Sequence, residues 1–225
     1  MLLSETEWQA VLLTLQLAAT STVILLLIGT PLALWLSRQR GTIGALVEAL
    51  VALPLILPPT VLGFYLLLML APDALPGKLW AGVTGTQLAF SFPALVIGSV
   101  LYSMPFVVQP LQQAFSRVSK PLLDTAATLG ANRRDQFFSV ILPLSRRSVV
   151  VAAALGFAHT VGEFGVVLMI GGNIPGETQV LSIALYDHVE ALDYDRAHRL
   201  AFGLVGFSLL LLFLLYRDRG WRLGR

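Results

Sequence analysis

Few side chains in this 225-residue sequence could carry covalent or acid–base chemistry. His159 and Glu163 stand four positions apart, a spacing that places them on one face of a helix and makes a dyad geometrically possible. Nothing in the sequence completes such a dyad. There is no cysteine, and His159, His188 and His198 lack the spacing of metal ligands. No G-x-x-x-x-G-K-[ST] phosphate loop occurs, so the chain does not bind ATP in the usual way. The pattern predicts no catalytic residue, no metal and no cofactor. An intramembrane enzyme built on His159 and Glu163 stays open as an alternative of a different class.

Glu163 carries a second meaning from its surroundings. Between 148 and 171 it is the only Asp, Glu, Lys or Arg, and Gly162 and Gly165 flank it. An ionisable group inside an apolar span is costly and often functional. It reads either as a structural carboxylate serving freed backbone amides or as a pathway or gate residue. An ionised carboxylate repels an anion, so it does not read as a direct anion ligand.

The elements that would position these residues are membrane spans. The composition is 56% hydrophobic and 12% charged, with a mean hydropathy of +0.78, about half the charge of an ordinary soluble domain. Crossing roughly 30 Å of hydrocarbon takes about 20 helical residues. Apolar runs of that order predict five spans at about 10–36, 48–71, 88–115, 148–171 and 199–216. The start, MLLSETEWQ, has acids and no base, unlike a cleavable signal, so the first run reads as an uncleaved span. The expected organisation is one integral all-α domain over 10–216, with a periplasmic segment at 1–9 and a tail at 217–225.

Charge distribution sets the expected topology. With the amino terminus outside, twelve of the fifteen Lys and Arg residues fall inside, and only Lys78, Arg196 and Arg199 fall outside. The loop 116–147 is then cytosolic, 172–198 periplasmic, and the carboxyl terminus cytoplasmic. The stretch 71–86, rich in Pro and Gly, reads as a loop. In 172–198, residues 180–192 have helical apolar spacing through Leu181, Ala184, Leu185, His188 and Leu192.

The second span holds Pro54, Pro58 and Pro59, which interrupt the backbone hydrogen-bond ladder. Irregular backbone at membrane depth survives only when buried in protein or lining a watery cavity. The run is therefore a kinked packing helix or the border of a pathway at Pro58, Pro59 and Thr60. The third span, carrying Ser91 and Ser103 among several prolines, would face poorly onto lipid. Thr60, Ser91 and Ser103 are the candidate neutral lining.

The cytosolic segment 116–147 is the longest polar interruption and holds six basic residues, Arg117, Lys120, Arg133, Arg134, Arg146 and Arg147. Ser119 can cap a helix starting at Lys120-Pro121. Ala126, Ala127 and Leu129 continue it, and Gly130 suits a left-handed stop. Asn132 can cap a second helix with Asp135 in its first turn, and Pro143 marks its exit. The product is a helix–glycine–helix, either an interfacial hairpin among lipid headgroups or a handle for a partner.

Its residues resemble a known family. Permease subunits of type I ABC importers carry E-A-A-x3-G-x9-I-x-L-P in a cytosolic loop. This chain has Asp124-Thr125-Ala126, three residues, Gly130, nine residues, then Val140-Ile141-Leu142-Pro143. Asp, Thr and Val replace the family's Glu, first Ala and Ile, and the spacing is intact. LPLILPPTVLGFYLL, AFSFPALVIGSVLYSMPFVVQPLQQAF and GEFGVVLMIGGNIPGETQVLSIALY extend the likeness over about 10–216, and are similar to the molybdate/sulfate group.

The resemblance implies a bacterial inner-membrane permease without enzymatic activity of its own, importing molybdate by alternating access, with sulfate or tungstate as alternative cargo. It implies coupling to ATP hydrolysis through Asp124, Thr125, Ala126, Ala127, Gly130, Leu142 and Pro143. The implied partners are a second permease copy, two ATP-binding cassette ATPase subunits, a periplasmic molybdate-binding protein and the lipid bilayer. No nucleic-acid partner is expected.

Overall fold

The computed structural model describes residues 3–220. The last residues of the tail, including Arg222 and Arg225 of the expected inside charge, lie outside the described residues. The described chain is helical throughout, with eleven α-helices: α1 (Glu5–Leu36), α2 (Thr42–Ala52), α3 (Pro59–Leu70), α4 (Leu75–Thr84), α5 (Phe92–Ser116), α6 (Lys120–Thr128), α7 (Arg133–Gln136), α8 (Leu142–Val161), α9 (Gly165–Gly171), α10 (Leu181–Glu190) and α11 (Tyr194–Gly220).

Among the described residues four stretches are long and apolar enough to cross a membrane: Glu5–Leu36, Phe92–Ser116, Arg133–Val161 and Tyr194–Arg217. A fifth crossing exists if Thr42–Leu55 and Pro59–Leu70 count as one broken span, bent by 109°. The proline run explains the bend. Pro54 sits in a short 3-10 turn at Leu53–Leu55, and Pro58 and Pro59 then start α3 where a missing N–H costs nothing.

The centre of the bundle is the packing of α1, α5 and α8. Leu25, Val107, Val108, Leu111 and Ala152 are fully buried there. Gly156 makes the crossing close, since a Cβ at that position would stand 2.6 Å from Val107 Cγ2. Small residues at helix crossings allow this approach, and without a hydrophobic force between helices in lipid the close packing itself supplies the attraction. A second cluster joins α3, α5 and α9 through Leu66, Leu95, Val166, Val167 and Ile170.

At the opposite end from α6, α10 is tied to the first span. Thr14 Oγ1 donates to the Ala10 carbonyl at 2.7 Å and accepts from the Leu181 N–H at 2.8 Å. Glu7, held in a capping box with Ser4, lies 3.1 Å from His188.

Three expectations change. The stretch 71–86 is not a plain loop: α4 forms there, with Pro76 in its first turn and Gly85 closing it at φ +71°. Pro and Gly occupy cap positions rather than breaking the helix. Pro143 does not end the helix that Asn132 starts. A π-turn at Phe137–Ile141 widens the backbone before the proline, accommodating its missing donor and its ring, and the helix continues as α8. The last helix begins at Tyr194, ahead of the expected 199.

The tight α5–α8 crossing gives a direct test. Gly156→Leu is expected to lower the stability of the purified protein by about 1–3 kcal/mol, read as a lower thermal unfolding midpoint. Gly206→Leu, where an added Cβ meets nothing within 4 Å, is expected to leave the midpoint unchanged. Equal effects would refute the crossing.

Candidate functional site: a capped turn and a cavity at two ends of one helix

The segment after α5 is built by local capping. Ser119 occupies the N-cap of α6, without a side-chain hydrogen bond. Thr125 Oγ1 donates back to the Pro121 carbonyl at 2.9 Å. Gly130 ends the helix at φ +88°, donating to the Ala127 carbonyl at 2.9 Å, while the Ala131 N–H reaches the Ala126 carbonyl at 3.0 Å. These two bonds make a Schellman turn. A Cβ at Gly130 would meet nothing within 4 Å, so the backbone angle alone demands glycine.

Asn132 then restarts the chain as a helix. Its Oδ1 accepts from the Arg134 and Asp135 N–H groups at 2.8 and 3.0 Å, and Asp135 Oδ2 accepts from the Asn132 N–H at 3.1 Å. Phe137 packs edge-on to buried Phe115, 6.3 Å between centroids, and Ile141 is buried. The turn is thus rooted in the core while its outer face stays free. Asp124, Thr125 and Ala127 are exposed, Ala126 is half-buried, and Leu142 and Pro143 lie in the first turn of α8.

Leu129 is 84% exposed, and Leu122 and Phe138 of the same segment are exposed as well. Sequence reasoning did not pick out these three as surface residues. The available signal was an apolar residue placed directly before a helix-ending glycine.

At the other end of the same rod, α8 stops at Val161 and α9 begins at Gly165. A cavity of about 580 Å³ opens at this break, lined by Pro59 and Thr60 of α3, Tyr102 of α5, and His159, Glu163 and Phe164. The gap brings together four of the residues singled out in the sequence, Pro59, Thr60, His159 and Glu163. Pro58 adjoins them as the N-cap of α3.

Ser103 is fully buried one layer behind the cavity wall. Its Oγ lies 2.9 Å from His159 Nδ1 and 3.1 Å from Thr160 Oγ1. Ser91 is elsewhere, at the N-cap of α5, where its hydroxyl donates to the Leu88 carbonyl at 2.5 Å. Tyr102 was missed, because nothing in its spacing sets it apart from other span aromatics.

Glu163 is 4% exposed, and neither carboxyl oxygen has a hydrogen-bond partner among the described residues. Ser99 of α5 is the side chain nearest to pairing with it, but no hydrogen bond of good geometry joins the two. Only the backbone is tied down: Ser182 Oγ of α10 donates to the Glu163 carbonyl at 2.6 Å.

His159 and Glu163 form no dyad. Glu163 lies beyond the helix end, so the four-residue spacing no longer aligns them, and His159 is stacked on Phe106 at 4.0 Å and bonded to Ser103. Among the described residues no group of three His, Asp or Glu could hold a metal.

Bundle, broken spans, a cavity at the span break and a displayed turn fit a membrane-embedded transport component. Residues 10–218 match the family described as binding-protein-dependent transport system inner membrane component, and the chain belongs to that family. It is 53% identical over 222 residues, 99% of this chain and 98% of the other, to the molybdenum transport system permease protein ModB of Azotobacter vinelandii. It is 32% identical to the sulfate transport system permease protein CysT of Escherichia coli K12, covering 82% of this chain and 66% of that one. Its fold matches a chain of the MetNI methionine ABC transporter in an inward-facing conformation, with a TM-score of 0.70, 20% identity and coverage of 96% and 97%.

The Ser103 cluster is testable by stability alone. Ser103→Ala strands the ring nitrogen of His159 and is expected to cost about 1–3 kcal/mol, seen as a lower unfolding midpoint. Thr128→Ala, which removes an exposed bond to the Thr125 carbonyl, should change it little. Indifference to Ser103→Ala would show that the cluster does not hold the cavity wall.

Proposed function

We propose that this chain is the permease subunit of an ATP-driven importer that carries molybdate across the bacterial inner membrane by alternating access. The observation that carries the reading is the single helical rod Arg133–Val161. One end is the capped turn at Gly130, and the other is the break at Glu163 where the cavity opens. At about 1.5 Å per residue, its 29 residues span roughly 44 Å. A partner that grips the turn therefore moves the cavity wall.

In this reading two copies form the passage. Two ATPase subunits dock on Asp124, Thr125, Ala126, Ala127, Gly130, Leu142 and Pro143, with Leu129 as an apolar knob. ATP-driven closure of the ATPases draws the two turns together and opens the passage to the periplasm, where a binding protein delivers the oxyanion. The positive-inside rule supports placing the turn in the cytosol and the amino terminus in the periplasm.

Pro58, Pro59, Thr60 and Ser103 belong to the passage and its wall. Ser91, engaged with Leu88, contributes to its outer end only through the backbone. Glu163 serves as a gate rather than a ligand. Two unit charges 4 Å apart interact by about 4 kcal/mol at an effective dielectric of 20, and a dianion doubles that. A passage of neutral donors avoids both that repulsion and the slow release that fixed cations would impose. The higher identity to a molybdenum permease than to a sulfate permease supports molybdate as cargo.

Uptake of labelled molybdate, with the ATPase and binding protein present, tests the proposal. Gly130→Pro and Ala126→Trp should each leave the protein inserted but abolish ATPase co-purification and uptake, while excess sulfate should compete weakly in the unaltered protein. Uptake surviving either substitution would remove the docking role, and equal competition by sulfate would remove the cargo assignment.

A further inference from the structure

The geometry points to a binding site for one anionic phospholipid in the cleft between α5, α8 and α11, at the end of the bundle that carries the Gly130 turn. The cleft holds about 430 Å³. Its rim is basic, with Arg117 at the C-cap of α5 and Arg147 in α8, both exposed. Among the described residues neither guanidinium has a carboxylate within 4.0 Å, since the ion pairs found join His188 to Glu7 and Arg196 to Asp193.

Below that rim the walls turn apolar in register. Val151 and Leu155 follow Arg147 at i+4 and i+8, on the same face of α8. Ala114 and Pro110 precede Arg117 at i−3 and i−7 on α5, and Leu212 and Leu215 close the third side from α11.

The depth fits one leaflet. α8 and α11 meet at the Phe157–Phe207 ring pair, 6.2 Å between centroids. Phe157 lies ten residues below Arg147, or ~15 Å along the helix, which is half of a hydrocarbon core of roughly 30 Å. The cleft's own lining ends just short of that pair, at Leu155, eight residues or ~12 Å below Arg147, so it runs through most of one leaflet, cationic at its rim and mainly apolar below. That gradient complements a lipid whose phosphate carries the charge and whose chains fill the groove, and basic pockets between spans recognise anionic headgroups in this way. A protein surface would instead bring carboxylates to the rim and would not need apolar walls running ~12 Å below it. The inference depends on neither the cargo nor the sidedness proposed above.

Native mass spectrometry of the purified full-length protein, supplied with phosphatidylglycerol or phosphatidylcholine in one detergent, reads this directly. One phosphatidylglycerol per chain should survive activation that strips phosphatidylcholine. The double variant R117Q/R147Q should retain it at least about tenfold less, as expected for two lost basic contacts. Leu155→Trp keeps both arginines but fills the groove, and it should also lose the lipid. Inorganic phosphate should not compete. Equal retention of the two lipids would overturn the site, as would phosphatidylglycerol retention unchanged in both variants. Displacement by inorganic phosphate would make it a free-anion site. A changed oligomeric state with unchanged lipid retention would make the cleft a contact between copies of the chain.

Discussion

Backbone polar groups at membrane depth must find partners inside the protein, and this requirement shapes the whole molecule. Regular helices meet it by themselves, but this chain breaks its spans at 53–59 and again at 162–164. The freed groups are met by short hydroxyl side chains and by other loops. Ser182 serves the Glu163 carbonyl, Thr178 the Gly171 carbonyl at 2.7 Å, and Thr14 the Leu181 N–H. The Phe90 N–H reaches the Ile170 carbonyl at 2.9 Å. These bonds fasten α9 and α10 to α1 and α5, so the breaks stay open as a cavity rather than collapsing into continuous helices.

The same requirement separates the rigid part of the protein from the part able to move. α1, α5 and α8 cross closely through Gly29 and Gly156, with fully buried valines and leucines between them. Around this centre, α2–α3 bends sharply and α11 is packed only along one side. The π-turn at Phe137–Ile141 is the one irregularity in the rod between the displayed turn and the cavity, beside Pro143. It lies where a pull on the turn would be converted into a tilt of α8, and π-turns recur at such positions.

Much of this was legible in the residues. Gly130 and Asn132 announced their turn because left-handed stops and side-chain N-caps are local chemistry, set by one or two residues. Glu163 stood out because a lone acid in an apolar run is expensive. What stayed hidden depended on tertiary partners. Pro143 looked like a helix end, and only a π-turn bonded into the core lets the helix pass it. The pairing of His159 with Ser103 rather than Glu163 follows from where α8 stops, at Val161 directly before Gly162, and from α5 lying alongside. Tyr102 and Phe106 become cavity and stacking residues only once α5 is laid beside α8. The helical α4 was masked because proline and glycine mark both breaks and caps.

The central claim is that the turn at Gly130 is a handle for an ATPase. The chain contains no cysteine, so a single one can be placed at Leu129, the most outward apolar residue of the turn, and compared with one at Val205 on the outer face of α11. In membranes holding the assembled transporter, a short thiol-to-amine cross-linker should join Leu129→Cys to the ATPase subunit and leave Val205→Cys unjoined. A Leu129→Cys protein that transports normally yet never cross-links to the ATPase would contradict the account.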